Sequence, residues 1–570
     1  MSSKQTGSKR INYVFLAFVL VGVAIIVRLF ILQVVSGDYY SVLAVRQHTN
    51  GSNSIEPRRG SIYFQNKNGE LITAADTKIG FNIFINPRQL AASGGDSETI
   101  YNKLNGIVLI DKAHFTGRLD RRDDPFEEVA TRVDEGVANK VRALSIPGVG
   151  VKSVEWRNYP AGSVASRVVG FFGFNGDELE GRYGIERQYE GALRGNYDNT
   201  TSGFLSKLSG ILAGPQEGYD VVLTVNIDAQ MYLEKMLAKA MQEWHGKSAG
   251  GVVLEPKTGK ILAMAGLPNF DPNTYQKERD IHIFTNPLVE SIYEFGSVFK
   301  PLTMAAALDK GAVKPTTKYY DKGFLVLDSK RIANFDNKGR GEVDMQRVLN
   351  DSLNTGAVFA MQQLGKQNFY NYMVNYGLDS ATGIDLPGEV FGSLSNLDTT
   401  RDIEYATASY GQGIAVTALA AARAFASLGN GGILMRPYIV EKVVRSGEPD
   451  IITQPKSQGK VIGTETSETI SRMLVKVVDE ALLGGAVKDP HYTIAAKTGT
   501  AYIPDKASGG YSEEMIHSVF GYAPGFDPKF LVFLYIEKPQ GVTYASHSLG
   551  QPTIDIIHFL LNYYNVPPDR

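Results

Sequence analysis

Cysteine is absent from the 570-residue chain, which excludes disulfides, a thiol nucleophile and cysteine-ligated zinc without fixing the compartment. An excess of charge is absent too, since 58 Lys and Arg stand against 60 Asp and Glu for a formal net charge of −2. With no basic surplus to neutralise phosphates, nucleic acid is not expected as a partner. The eight histidines show no His-Glu-x-x-His grouping, so no metal site is expected. Gly246-Lys247-Ser248 lacks the first glycine of a phosphate loop because position 241 is Met, and Gly170-Phe-Phe-Gly173-Phe-Asn-Gly176 has no dinucleotide spacing and reads as turns. What remains is an ordinary globular composition, 43% hydrophobic and 21% charged, in a chain long enough for more than one domain.

The N-terminus carries one long apolar run. Ile11 to Val27 is uncharged, and Leu29 to Val35 extends it beyond Arg28, approaching the ~20 residues a helix needs to cross a bilayer. Lys4, Lys9 and Arg10 precede it, which leaves residues 1–10 as a cytoplasmic tail by the positive-inside rule. No Ala-x-Ala-type site ends the run, so an uncleaved transmembrane anchor over 11–35 is expected rather than a signal peptide. Everything after about residue 36 then lies outside the inner membrane. Arg28 either snorkels to the headgroups or faces a partner helix.

Beyond the anchor the pattern divides in two. Residues 36–215 are polar, glycine-rich and broken into short β-like runs such as Gly80-Phe-Asn-Ile-Phe-Ile85. The mixed charge run from Asp120 to Glu128 reads as a solvated helix end, and Leu212 to Gly218 as a linker. Residues 216–570 alternate strands with longer helices. Asp220–Val225 reads as a strand and 228–244 has helical apolar spacing. Gly250–Leu254 and Lys260–Ala265 flank Pro256-Lys-Thr-Gly259 as a hairpin. An apolar helix is expected over Ala415–Leu428, strands over His517–Tyr522 and Phe530–Ile536, and a closing helix over Thr553–Tyr564. Pattern alone reaches a mixed α/β class.

Three short motifs carry chemistry, in this order: Ser297-Val-Phe-Lys300, Ser352-Leu-Asn354 and Lys497-Thr-Gly-Thr500. A serine and a lysine three apart at a helix start share a face. The lysine can accept the serine proton if burial or a neighbouring cation makes its neutral form accessible. Ser-x-Asn adds a hydroxyl able to relay a proton and an amide able to hold a substrate amide. Lys-Thr-Gly-Thr reads as an edge strand with a cation, a hydroxyl for a carboxylate and a glycine that admits substrate backbone. Pro301 cannot donate to the Ser297 carbonyl, but in a first helical turn it is tolerated. Spacing alone is weak evidence, because Ser457-Gln-Gly-Lys460 repeats Ser-x-x-Lys without this setting. A Ser-His-Asp triad is spatial and cannot be judged from spacing, although Ser297 already has a base beside it.

The trio and its flanks resemble the class B penicillin-binding proteins, peptidoglycan D,D-transpeptidases, and within them the septal, cell-division type. Arg59-Gly-Ser-Ile62, Asn68-Gly-Glu-Leu71, Tyr159-Pro-Ala-Gly162 and Tyr183-Gly-Ile-Glu186-Arg-Gln-Tyr189 resemble motifs of the family's non-catalytic pedestal. Leu223-Thr-Val-Asn-Ile-Asp228-Ala-Gln230 resembles the entry to its catalytic domain, and Tyr410-Gly-Gln-Gly413 with Val416-Thr417 a later segment. Tyr564-Asn-Val-Pro-Pro568-Asp resembles the end of division-type members.

The resemblance implies an α/β (α+β) serine transpeptidase/β-lactamase-like domain over 216–570, an antiparallel sheet with helices on both sides. It also implies a mostly β, dimerisation-like pedestal over 36–215. Ser297 would be acylated at the penultimate D-Ala of a stem pentapeptide, with Lys300 as base and Ser352 and Lys497 passing a proton to the departing D-Ala. Backbone N–H groups of Ser297 and Thr500 would form the oxyanion hole. Asn354 would hold the stem amide, and Thr498, Gly499 and Thr500 the strand and carboxylate end. A neighbouring stem's amine would then complete a 4→3 cross-link, and a β-lactam would trap Ser297. No metal or cofactor is implied. A separate glycan polymerase and divisome membrane proteins are the expected partners, because the chain shows no glycosyltransferase segment.

An elongation-type transpeptidase, a D,D-carboxypeptidase or β-lactamase, and a non-turnover scaffold or sensor share parts of this pattern. Departures from it are Phe295 where proline is frequent, Val298 where Thr or Ser is common, Leu353 in place of Ser, and Arg167 where histidine is often found.

Overall fold

The structure is a computed structural model that describes residues 58–93, 96–121, 124–176, 178–194, 217–445, 447–505 and 510–570. The expected anchor over 11–35 and most of the linker over 212–218 lie outside these residues. Among the described residues no helix is long and apolar enough to cross a membrane. Residues Arg59–Arg570 form one compact unit.

The N-terminal portion is β-rich. The four-residue strand Ile62–Gln65 pairs antiparallel with Leu71–Ile85, which also pairs with Glu127–Val133 and Val149–Asn158. Ile83 and Ile85 are buried and pack with Leu104, Phe115 and Val141 from three short helices, Ser97–Asn105, Lys112–Leu119 and Glu135–Ala143. The charge run behaves differently along its length. Asp120 caps the helix end as a solvated residue, whereas Glu127 is buried and bound by both Arg118 and Arg121.

This sheet does not stop where the composition changes near residue 215. Ile62–Gln65 also pairs in parallel with Asp220–Asn226, Ile62 opposite Val221, and that strand continues the sheet to Val440–Val444 and Ile451–Ile452. A buried ion cluster sits under the same seam. Arg59 Nε donates to Glu186 Oε2 at 2.9 Å and Arg157 Nε to Glu186 Oε1 at 2.7 Å. Tyr159 adds its hydroxyl to Glu186 Oε1 at 3.2 Å, and Arg59 reaches Glu190 at 2.7 Å. Burial alone would raise the Glu186 carboxyl, but the two guanidiniums more than offset it, so its pKa sits below the usual range. Arg59, Tyr159 and Glu186, from three separate sequence motifs, are thus one structural unit.

The second sheet has five antiparallel strands in the order Ala495–Asp505, Gly510–Ala523, Phe530–Glu537, Ser248–Leu254, Ile261–Leu267. The hairpin read from Gly250–Leu254 and Lys260–Ala265 is its far end. Successive side chains alternate between faces. Val519, Val532 and Leu534 pack against the helices Ile227–Glu243 and Gln551–Tyr563 through Leu233, Leu237, Ile557 and Leu560. Phe520 and Phe533 face the other way, where Phe425 of helix Ala418–Gly429 stacks on Phe520 with centroids 4.3 Å apart. Asn226 caps the start of Ile227–Glu243 and Thr417 that of Ala418–Gly429, each accepting backbone N–H groups. The sheet is therefore covered on both faces, and Ala495–Asp505, the strand bearing the third motif, lies at its edge.

Candidate active site

Ser297 lies in a short 3₁₀ turn, Gly296–Phe299, that runs into the α-helix Lys300–Asp309. Proline explains the change of pitch. Pro301 has no N–H to give the Ser297 carbonyl, and the Lys300 N–H makes that bond instead, one residue earlier. The turn is fixed from two sides by glycines. Gly296 has φ +68°, a conformation that favours glycine, and its N–H donates to Gly411 O at 3.1 Å. A Cβ on Gly411 would lie 2.2 Å from Gly296 O. A Cβ on Gly499 would lie 2.5 Å from Phe295 O and 2.9 Å from Val298 N. The serine turn and the edge strand therefore meet backbone to backbone.

The first and second motifs meet through lysine. Lys300, 1% exposed, donates from Nζ to Ser352 O at 2.5 Å and to Ser352 Oγ at 3.1 Å. Lys497, 2% exposed, donates to the same Ser352 Oγ at 3.0 Å and to Thr498 O at 2.9 Å. One hydroxyl thus sits between two buried amines. Burial pushes the Lys300 pKa well below the ordinary lysine value, and the charge of Lys497 pushes it further. Burial alone lowers Lys497 to about 7. The condition set by the sequence, a lysine made neutral by burial or a neighbouring cation, is met by both means. Ser297 itself is half-buried.

Asn354 opens the helix Asn354–Leu364 and donates its side-chain N–H to Ala333 O at 2.8 Å. Thr498 is half-buried on the edge strand, and Thr500 Oγ1 accepts the Ala545 N–H at 3.2 Å. On the neighbouring strand His517 stands opposite Thr500. Its Nδ1 meets Ser548 Oγ at 2.8 Å, and burial lowers its pKa to about 4. This neutral histidine is paired with Ser548 and not with Ser297. Ser457–Lys460, the second Ser-x-x-Lys, is an exposed strand whose lysine donates to Thr464 Oγ1.

Sequence reasoning missed the support behind the second motif. Residues 318–344 form two small hairpins, Lys318–Asp321 with Gly341–Asp344 and Phe324–Leu327 with Lys330–Ala333. Their hub is Asp321, which is buried and accepts from Gly323 N, Asn334 Nδ2, Arg340 N and Thr355 Oγ1. Asn334 Oδ1 in turn accepts the Thr355 N–H, the residue after Asn354, at 3.2 Å. Glu294, three residues before Ser297, was missed as well. It accepts from Gly413 N and Tyr511 OH, each at 2.9 Å, and burial raises its carboxyl pKa. The signal available was Tyr410-Gly-Gln-Gly413, whose backbone turns out to grip the serine turn. Arg167 donates to Pro268 O at 2.6 Å and also reaches Thr285 O, so the N-terminal portion holds a loop of the catalytic portion.

Residues 249–557 match the family described as "Penicillin binding protein transpeptidase domain" and residues 54–207 that described as "Penicillin-binding Protein dimerisation domain". The chain is 30% identical to "Stage V sporulation protein D" of Bacillus subtilis, over 97% of this chain and 85% of that protein. It is 29% identical to the "Peptidoglycan D,D-transpeptidase FtsI homolog" of Mesostigma viride, over 99% and 97%. Penicillin Binding Protein 2X from Streptococcus thermophilus shares the fold with a TM-score of 0.72 at 20% identity, covering 90% of this chain and 81% of that one. The chain belongs to the class B penicillin-binding proteins, serine D,D-transpeptidases built from a dimerisation domain and a transpeptidase domain.

Proposed function

We propose that this transpeptidase cross-links peptidoglycan stems during septal wall synthesis, acting from the outer face of the cytoplasmic membrane on a single uncleaved anchor. The observation that carries the catalytic reading is the shared hydroxyl, Ser352 Oγ, held between Lys300 and Lys497. Lys300, its pKa lowered by burial and by the charge of Lys497, takes the Ser297 proton. Ser297 Oγ then attacks the penultimate D-Ala carbonyl, while the backbone N–H groups of Ser297 and Thr500 receive the oxyanion. The proton moves from Lys300 through Ser352 to the departing D-Ala amine, with Lys497 holding the relay. The donor stem adds to the open side of the edge strand, while the missing side chain of Gly499 admits the backbone of the serine turn, not that of the stem as the sequence suggested. Asn354 takes its amide, and Thr498 and Thr500 take its carboxylate. An acceptor amine reverses the path and forms the cross-link, and a β-lactam stalls at the acyl-enzyme.

The septal assignment rests on Asn354 and on the segment Tyr564-Asn-Val-Pro-Pro568-Asp, which resembles division-type members. A separate glycan polymerase and membrane proteins of the divisome supply nascent strands and location.

Two experiments test this reading. Reconstitution with lipid-linked precursor and a glycan polymerase is expected to give 4→3 cross-linked muropeptides, and none with Ser297→Ala. Products lacking only the terminal D-Ala, without cross-links, would show a carboxypeptidase instead. A fluorescent fusion is expected at the septum, and a side-wall pattern would assign the elongation role.

A further inference from the structure

Ser352 is not glycine, yet it adopts φ +54° in the left-handed region, a conformation that persists in an ordinary residue only where its surroundings over-determine it. The lysines hold its hydroxyl and carbonyl from inside. From outside, the neighbouring Asp351 caps the helix Met345–Asn350, its N–H donating to Arg347 O and Leu349 O. The Asp351 carboxylate is clamped between two guanidiniums, Arg347 Nε at 2.8 Å and Arg340 Nε at 3.5 Å. Arg340 is itself immobilised. Its N–H donates to the buried Asp321 at 3.0 Å, and its guanidinium pairs with Asp336 at 2.8 Å. Asp351 therefore ties the end of its helix to the hairpin pair that also holds Asn354 and Thr355. The outer side of the clamp is an open cavity of about 470 Å³ lined by Lys318, Arg340, Glu342, Val343, Asp344 and Arg347. The Asp351 side chain itself is 18% exposed, so a truncation there opens to solvent rather than leaving a sealed void.

We propose that Asp351 is a positioning residue for the acylation step: held by Arg340 and Arg347, it fixes the turn that keeps Ser352 Oγ between Lys300 and Lys497. This rests on the reading of Ser352 as the proton relay. A role limited to stability would lower the melting temperature and leave the chemistry of folded protein unchanged. A positioning role alters the acylation rate constant and spares penicillin binding.

The test is stopped-flow acylation of the detergent-solubilised full chain by a fluorescent penicillin, resolving the binding constant from the acylation rate constant. Wild type, Ser352→Ala, Asp351→Ala, Asp351→Glu and Arg340→Ala are compared. Asp351→Ala is expected to lower the rate constant about tenfold, as displacement of a reacting group by a fraction of an ångström does, with the binding constant within about twofold of wild type. Asp351→Glu restores most of the rate, and Arg340→Ala falls between. A normal rate in Asp351→Ala beside an impaired Ser352→Ala overturns the inference and leaves the relay standing. A normal rate in Ser352→Ala removes the relay and the inference together. If Asp351→Ala does not fold, Arg340→Ala decides, and a wild-type rate there overturns the proposal.

Discussion

Two stretches of this chain share the spacing Ser-x-x-Lys and nothing else. Ser297–Lys300 spans a 3₁₀-to-α junction under a buried helix, and its lysine is enclosed beside a second lysine. Ser457–Lys460 is a solvated strand at the molecule's surface, where its lysine meets only a threonine hydroxyl among the described contacts. The difference lies in long-range packing. An amine becomes a base at neutral pH when it is desolvated and faces another cation, and here burial supplies the first condition and Lys497, far away in sequence, the second. Spacing is cheap to find by chance, whereas enclosure is not.

The comparison can be broken most severely at the nucleophile. Ser297→Ala is expected to abolish penicillin acylation, while Ser457→Ala acylates at the wild-type rate, both read by gel fluorescence. Lys300→Arg, which keeps charge but not an accessible neutral form, is expected to lower the acylation rate constant by about 10²–10⁴, the usual worth of a positioned general base. Gly499→Ala sharpens the role of close approach. Its methyl would overlap Phe295 O, so a rate loss of about 10² from a displaced serine turn is expected. Denaturant titration should show it about 1–3 kcal/mol less stable.

The lysine environment has a pH signature. Lys497 titrates at about 7 in the folded protein against about 10.4 unfolded. Across that window the unfolded chain binds more protons, so this residue's contribution makes stability rise with pH from about 7 upward. Lys497→Met removes the penalty and is expected to raise the melting temperature more at pH 6 than at pH 9. The smallest effect expected is that of Lys460→Ala, within about 0.5 kcal/mol of wild type as for an ordinary surface substitution.

How much of this was legible in the sequence depended on whether the information was local. The edge-strand character of Lys497–Thr500 and the strand and helix over 220–244 are properties of contiguous residues, and the structure has them as Ala495–Asp505 at a sheet edge, Asp220–Asn226 and Ile227–Glu243. The strand expected over His517–Tyr522 was too short, because Gly510–Ile516 is a polar extension that lacks the apolar run beyond it. The hairpin pair over 318–344 escaped notice because its four-residue strands are too brief for periodicity to declare itself. Asp321 gave no signal at all, since a hub is defined by donors from 323, 334, 340 and 355 that only tertiary folding assembles. The change of composition near residue 215 was visible, but the parallel pairing of Ile62–Gln65 with Asp220–Asn226 across it was not. Parallel neighbours need a long crossover, and nothing local announces one.

The account turns on two buried lysines that share one hydroxyl. The direct measurement is an NMR pH titration of the side-chain ε-carbons in lysine-labelled protein, with the Lys300 and Lys497 signals assigned by Lys300→Arg and Lys497→Arg. The account predicts that Lys497 titrates at about 7 and Lys300 well below the ordinary lysine value, held there by burial and by the charge of Lys497. Two lysines titrating at ordinary values above 10 would contradict it, and would leave Ser297–Lys300 chemically no different from Ser457–Lys460.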